Sequence, residues 1–156
     1  MVIPKLKTIK ADENFFVIAT QNPAAHVGVT VLGEALKDRF IWIKLDYQSA
    51  LEEIQIIKQE ANLGDKEGDK IAQLSQEIIE QTRDNRFIRR GSSVRGAIDL
   101  AGMITQYDDT RSSKNWVEAG IMALYNKIEL EDGVSQSKTE VITDIVLAVL
   151  NQSDFQ

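Results

Sequence analysis

The chain has 156 residues, 43% hydrophobic and 27% charged, with 2 Pro and 9 Gly. That balance is globular and excludes collagen-like, low-complexity and wholly disordered chains. With 0 Cys and 1 His it cannot form disulfides, a thiolate nucleophile or a multi-histidine metal site, and a net charge of −6 argues against a generally basic nucleic-acid binder.

Residues 6–10 could form a short strand, and Asp12-Glu13-Asn14 is a turn signal. The run Phe15-Phe16-Val17-Ile18-Ala19-Thr20 is aromatic and branched and predicts a buried strand. Gln21-Asn22-Pro23 ends it, because proline cannot donate to a ladder and pushes Asn22 to extended geometry. Residues 34–38 suit a brief helix, and Ile41-Trp42-Ile43-Lys44-Leu45 predicts a second buried strand.

From Ser49 the pattern turns helical. Ser49-Ala50-Leu51-Glu52 fits a capping box, after which Leu51, Ile54, Ile57 and Ala61 recur at helical spacing. Residues 64–68 break the pattern, and Ile71, Leu74, Ile78 and Gln81 outline a second helix. Gly91-Ser92-Ser93 stops and recaps the chain before a third helix with Ala97, Ile98, Ala101 and Ile104. A polar loop at 108–113 precedes a fourth helix with Trp116, Ala119, Ala123 and Tyr125. Ser137-Lys138-Thr139-Glu140 is another capping box, opening a helix with Ile142, Ile145, Val146, Val149 and Leu150. The pattern thus gives a small α/β piece, residues 1–47, joined to an all-helical bundle, residues 48–156, mostly helical overall.

No apolar run approaches the roughly 18–20 residues that span a bilayer. The N-terminal stretch lacks a basic-then-apolar leader. A cytoplasmic chain with no membrane partner is the expectation.

Three positions stand out for chemistry. Asn22 follows the first apolar strand, and strand ends are where open α/β sheets place ligand-binding groups. A neutral amide there can orient a water beside a phosphate without repelling it. Arg39 follows the brief helix, where a planar fork can reach a neighbouring molecule and stabilise charge on a phosphoryl group. Arg95 starts a helix, where a cation opposes the dipole unless an anion is present. Each has a plain alternative: a turn pair with Pro23, a surface ion pair with Asp38, and a solvated side chain.

Together these stretches resemble an AAA+ ATPase of the MoxR and CbbQ/NorQ type, in the dynein-related AAA group. ATQNP resembles the sensor 1 strand and its turn, and LGEALKDRF the helix that ends in the arginine finger. GSSVRGA resembles the sensor 2 motif that opens a lid helix. The resemblance implies an α/β remnant of a P-loop AAA+ core, with two or three short strands, followed by a helical lid. It implies Asn22 and Arg39 as catalytic residues, the first orienting the attacking water and the second inserted into an adjacent subunit's site. It implies Arg95 as the nucleotide-binding sensor 2, in cis or in trans. Val94 stands where many relatives have proline, which is only a preference at an early helical position.

The complete protein would bind ATP and Mg²⁺. It would form a ring of other AAA+ subunits, six by the family's habit, and remodel a protein client. No G-x-x-x-x-G-K-[ST] cradle is present, and Asp12-Glu13 follows no run of four apolar residues, so neither Walker motif is in this sequence. The chain is therefore expected to start after both, and alone neither to bind Mg·ATP tightly nor to hydrolyse it. The two predicted strands would then have exposed edges, and the helical part the better prospect of native packing.

Two other readings stay open: a non-catalytic module lending Arg39 or Arg95 to a partner ATPase, and a nucleic-acid binder using Arg83, Arg86, Arg89, Arg90 and Arg95. His26 is expected in a loop and Trp42 and Trp116 in a core or interface. Asp108-Asp109 and Glu131-Asp132 are separate loop charges without metal-site spacing, so no metal ligand is expected.

Overall fold

The computed structural model describes residues 11–20 and 33–153. The chain divides into two units, Met1–Lys44 and Leu45–Gln156, and each is taken by itself.

In the first unit the expected turn forms. The Asp12 carboxylate accepts from the Asn14 amide at 2.9 Å, and its carbonyl accepts from the Phe15 amide at 3.0 Å. Helix α1 is Glu34–Lys37. The two predicted strands are not strands. Residues 15–20 carry no ladder, and Phe15, Phe16, Val17 and Ile18 are exposed. Beyond α1 and across the boundary into the second unit, residues 41–45 are equally irregular, with Ile41 92% exposed and Trp42 78%. An apolar branched run becomes a strand when a neighbour takes up its amides and a second layer covers its side chains. Among the described residues neither is supplied. The strand expected at 6–10, Asn22 and His26 lie outside the described residues.

The second unit is mostly helical. Its elements are α2 (Ala50–Glu60), α3 (Lys66–Asp84), β1 (Ile88–Arg90), α4 (Val94–Ile104), α5 (Ser113–Leu124), β2 (Glu129–Leu130) and α6 (Lys138–Gln152). Both capping boxes are present. The Ser49 and Ser137 hydroxyls accept from the Glu52 and Glu140 amides, and each glutamate accepts from its serine amide at 2.9 and 2.7 Å. These bonds fix where α2 and α6 begin, and so which faces turn inward.

On α2 the inward face differs from the predicted stripe. Ile57 is buried, but its partner on that face is Glu53, while Leu51 is 75% exposed. At about 100° per residue Glu53 sits about 40° from Ile57 and Leu51 about 120° away, so one face cannot hold both. The break after α2 is also earlier than expected. Asn62 takes a left-handed φ of 54°, and Asp65 caps α3 by accepting from the Gly68 amide at 2.6 Å. Gly68 is thus inside the first helical turn. A Cβ there would meet the Leu63 Cβ at 2.8 Å.

Helix α3 packs on α2, α4 and α6, and α5 lies between α4 and α6. The core they enclose includes Leu74, Ile78, Leu100, Ile104, Trp116, Leu124 and Ile142. Ala97, Ala101, Ile145, Val146, Val149 and Leu150 are buried as their spacing requires. Trp116 is fully buried, and its indole donates to the Thr110 carbonyl at 2.8 Å, which pins the polar loop before α5. An antiparallel pair absent from the sequence reading, β1 with β2, aligns Ile88 with Leu130 and Arg90 with Glu129. Strands of three and two residues carry no usable periodicity. Among the described residues no helix is long and apolar enough to cross a membrane.

Candidate functional site

The clearest constructed feature of the second unit is the turn from β1 into α4, which carries Arg95. It starts from Gly91. A Cβ on Gly91 would lie 2.7 Å from the Arg83 Cα and 2.8 Å from the Thr82 carbonyl oxygen, so only glycine lets this turn lie flat on the end of α3. Ser92 follows, fully buried. Its amide donates to Thr82 Oγ1 at 2.9 Å, and its carbonyl accepts from Arg83 Nε at 2.9 Å. The Thr82 hydroxyl in turn donates to the Ile79 carbonyl at 2.6 Å. Every polar group of the Ser92 backbone is therefore held by α3.

Arg83 is itself held. Its guanidinium forks onto Glu53, Nη2 to Oε1 at 2.8 Å and Nη1 to Oε2 at 3.0 Å. The Glu53 side chain is 0% exposed and that of Arg83 13%. Gln76 Nε2 approaches the same Glu53 Oε2 at 3.4 Å, and the Arg83 guanidinium lies 3.8 Å from the centre of the Tyr47 ring. A buried, bidentate, otherwise satisfied pair of this kind fixes geometry more surely than it adds stability.

Beyond the clamp, α4 begins at Val94 with Ser93 as N-cap, but no side chain caps it and its first turn holds no acidic residue. The starts of α2, α3 and α6 each have a side-chain cap and an acidic first turn, whereas α5, like α4, has neither. Gly96 lets this turn close down: a Cβ there would run into the Ser92 hydroxyl and lie 2.8 Å from Leu124 Cδ2 on α5. Arg95 is exposed, and among the described residues it forms no ion pair. The Gly96 amide donates to the Ser93 carbonyl at 2.9 Å, and the Arg95 guanidinium beside this first turn is a donor that an anionic oxygen can use.

The other sites stand apart. Arg39 is exposed just after α1, and its Nη1 donates to the Ala35 carbonyl, capping its own helix rather than pairing with Asp38 as the plain reading had it. It belongs to the first unit and Arg95 to the second, so each is described on its own element. Of the remaining arginines, Arg89 reaches Glu129 and Asp132, and Arg90 bonds Glu129 at 2.7 Å. Arg86 lies over the Phe87 ring at 4.6 Å. The Arg90 guanidinium holds the Glu129 carboxyl below its ordinary value. The basic stretch is thus largely engaged with this chain's own carboxylates and rings. Among the described residues no group of three or more His, Cys, Asp or Glu could hold a metal ion.

Glu53 and Thr82 are not among the residues that the sequence patterns single out. An acid four residues before Ile57, in register with a buried face, is the signal for Glu53. Its partner, 30 residues onward, has no periodic relation to it.

The chain is similar to uncharacterized protein SAUSA300_1302 of Staphylococcus aureus strain USA300, 30% identical over 131 residues, which cover 80% of this chain and 49% of that protein. Uncharacterized protein SAOUHSC_01413 of strain NCTC 8325 / PS 47 matches to the same extent. The chain spans about half the length of the curated relatives it matches. No family model matches the chain. No solved structure matches it either.

Proposed function

We propose that this chain is the sensor and lid part of a MoxR-type AAA+ ATPase, working where another segment or chain supplies the P-loop and the Mg²⁺-binding carboxylate. The observation that carries the reading is Arg95: exposed, in a helical turn without a side-chain cap or acidic residues, three residues after the Ser92 backbone that Thr82 and Arg83 clamp. That donor set fits a nucleotide phosphate. The Mg²⁺-binding carboxylate is assigned to the same other segment or chain as the P-loop, since neither Walker motif is in this sequence.

When bound, Mg·ATP supplies the phosphoryl group to be transferred. Asn22 then orients the attacking water through its amide. Arg39 releases the Ala35 carbonyl and turns to a neighbouring subunit, where its fixed charge meets charge developing on the phosphoryl oxygens. Arg95 donates to phosphate from α4, so nucleotide binding and lid position become one equilibrium. The exposed apolar side chains at 15–18 and 41–45 support addition of both segments to a sheet completed elsewhere. In the whole protein this machinery would form a cytoplasmic ring, a hexamer by the family's habit, that remodels a protein client. The exposure of Arg39 also supports a second reading, a non-hydrolysing module that lends this arginine to a partner ATPase.

The test is ATP hydrolysis by the purified chain, alone and fused to the unmatched part of the S. aureus relative in that protein's own order. The expected result is no turnover alone and turnover in the fusion. Turnover by the chain alone, or none by the fusion while the intact relative is active, contradicts the proposal.

A further inference from the structure

Arg83 makes contacts with three parts of the chain that are far apart in sequence. Its guanidinium face lies 3.8 Å from the Tyr47 ring, in the segment that enters α2. Its Nη atoms grip Glu53 on α2 at 2.8 and 3.0 Å. Its Nε donates at 2.9 Å to the carbonyl of Ser92, three residues before Arg95. The planar guanidinium makes these three contacts interdependent. The fork to Glu53 fixes the plane, the plane fixes where Nε points, and the Tyr47 ring covers one face of it. The neighbouring Thr82 hydroxyl holds the amide of the same Ser92.

We infer that Arg83 is a positioning residue that links the placement of Tyr47 and Glu53 to the backbone of Ser92, and so sets where Arg95 stands. The inference rests on the proposed role of Arg95 toward phosphate and adds its regulation. A shift of the chain at Tyr47 tilts the guanidinium, loosens the Ser92 carbonyl and releases the turn that carries Arg95. Tyr47 is 55% exposed, so a partner or a rearrangement of the segment entering α2 can reach it without unfolding the bundle. Lysine cannot replace Arg83 here, because one ammonium offers Glu53 a point charge but holds no fixed third donor toward Ser92.

The experiment is amide hydrogen exchange on the full chain, read at Ser92 and at residues 94–96 against the slow amides of α5 and α6. Exchange at these amides reports local opening of the turn, whatever binds there. Tyr47→Leu is expected to speed Ser92 exchange about two- to fivefold, the loss of a cation–π contact at an exposed ring, with α5 and α6 unchanged. Arg83→Lys is expected to speed it about tenfold or more, the loss of a charge-assisted hydrogen bond. Tyr47→Phe, which keeps the ring, is expected to exchange as the unaltered chain does. Unchanged Ser92 exchange in Tyr47→Leu, or equal acceleration across every helix, overturns the inference. Because this readout needs no nucleotide, its failure is distinct from failure of the ATPase reading, which shows as a fusion that does not hydrolyse ATP.

Discussion

Arg83→Met tests the structural premise most sharply. The substitution keeps much of the side chain's length and apolar stem but removes the guanidinium. Glu53, with a side chain 0% exposed, is left with the Gln76 amide at 3.4 Å in place of two bonds at 2.8 and 3.0 Å. Removing one partner of a buried pair costs about 3–5 kcal/mol, mostly the burden of the stranded charge. Domains of this size have about 5–15 kcal/mol in total, so the loss is about a fifth or more of it. Urea unfolding followed by circular dichroism at 222 nm reads it directly. With a slope of about 2 kcal/mol per molar, the midpoint falls by about 1.5–2.5 M. Replacing both residues, Glu53→Leu with Arg83→Leu, strands no charge and is expected to be less damaging than Arg83→Met. An Arg83→Met midpoint equal to that of the unaltered chain, or a double variant as unstable as the sum of its singles, refutes the reasoning.

Further outcomes follow from the glycines and the capping boxes. Gly96→Ala is expected to destabilise by about 1–2 kcal/mol despite alanine's better helix propensity, because its Cβ runs into Ser92 and Leu124. Gly102→Ala, on the same helix with nothing within 4 Å, is expected to stabilise by about 0.5–1 kcal/mol, both read as thermal midpoints. Hydrogen bonds from the Ser49 side chain and backbone lower Glu52, those from the Ser137 backbone and side chain lower Glu140, and Arg90 lowers Glu129. Folded values depressed below the unfolded ones mean that this stability is present above the ordinary carboxylate value of 4.5 and is lost as pH falls through the depressed values. The thermal midpoint is therefore expected to fall on acidification below that value, and Glu140→Gln to flatten the fall; an identical profile for the variant contradicts it. Arg95→Ala is expected to leave the thermal midpoint unchanged or slightly raised, since it removes a cation from a helix N-terminus.

The helical unit was largely legible because its signals are local. Ser49 with Glu52 and Ser137 with Glu140 each announce a helix start within four residues, and the stripes on α4 and α6 point where they pack. The segments at 15–20 and 41–45 were not, because they have strand composition without strand partners among the described residues. Composition records a preference for a half-buried pleated surface, and only a neighbouring ladder realises it. Arg95 was legible as an unusual charge at a helix start. The clamp beneath it was not, because Glu53, Thr82, Arg83 and Ser92 meet through tertiary contacts that no spacing encodes.

The proposed function places Asn22, Arg39 and Arg95 against nucleotide phosphate. The direct measurement is steady-state ATP hydrolysis by the fusion with the unmatched half of the S. aureus relative, with each residue replaced by alanine. If Arg39 acts as proposed, Arg39→Ala is expected to lower kcat by about a thousandfold or more, the magnitude of an arginine finger. Asn22→Ala is expected to lower kcat strongly and Arg95→Ala to raise the KM for ATP. Hydrolysis at the unaltered rate in all three variants would contradict the proposed function.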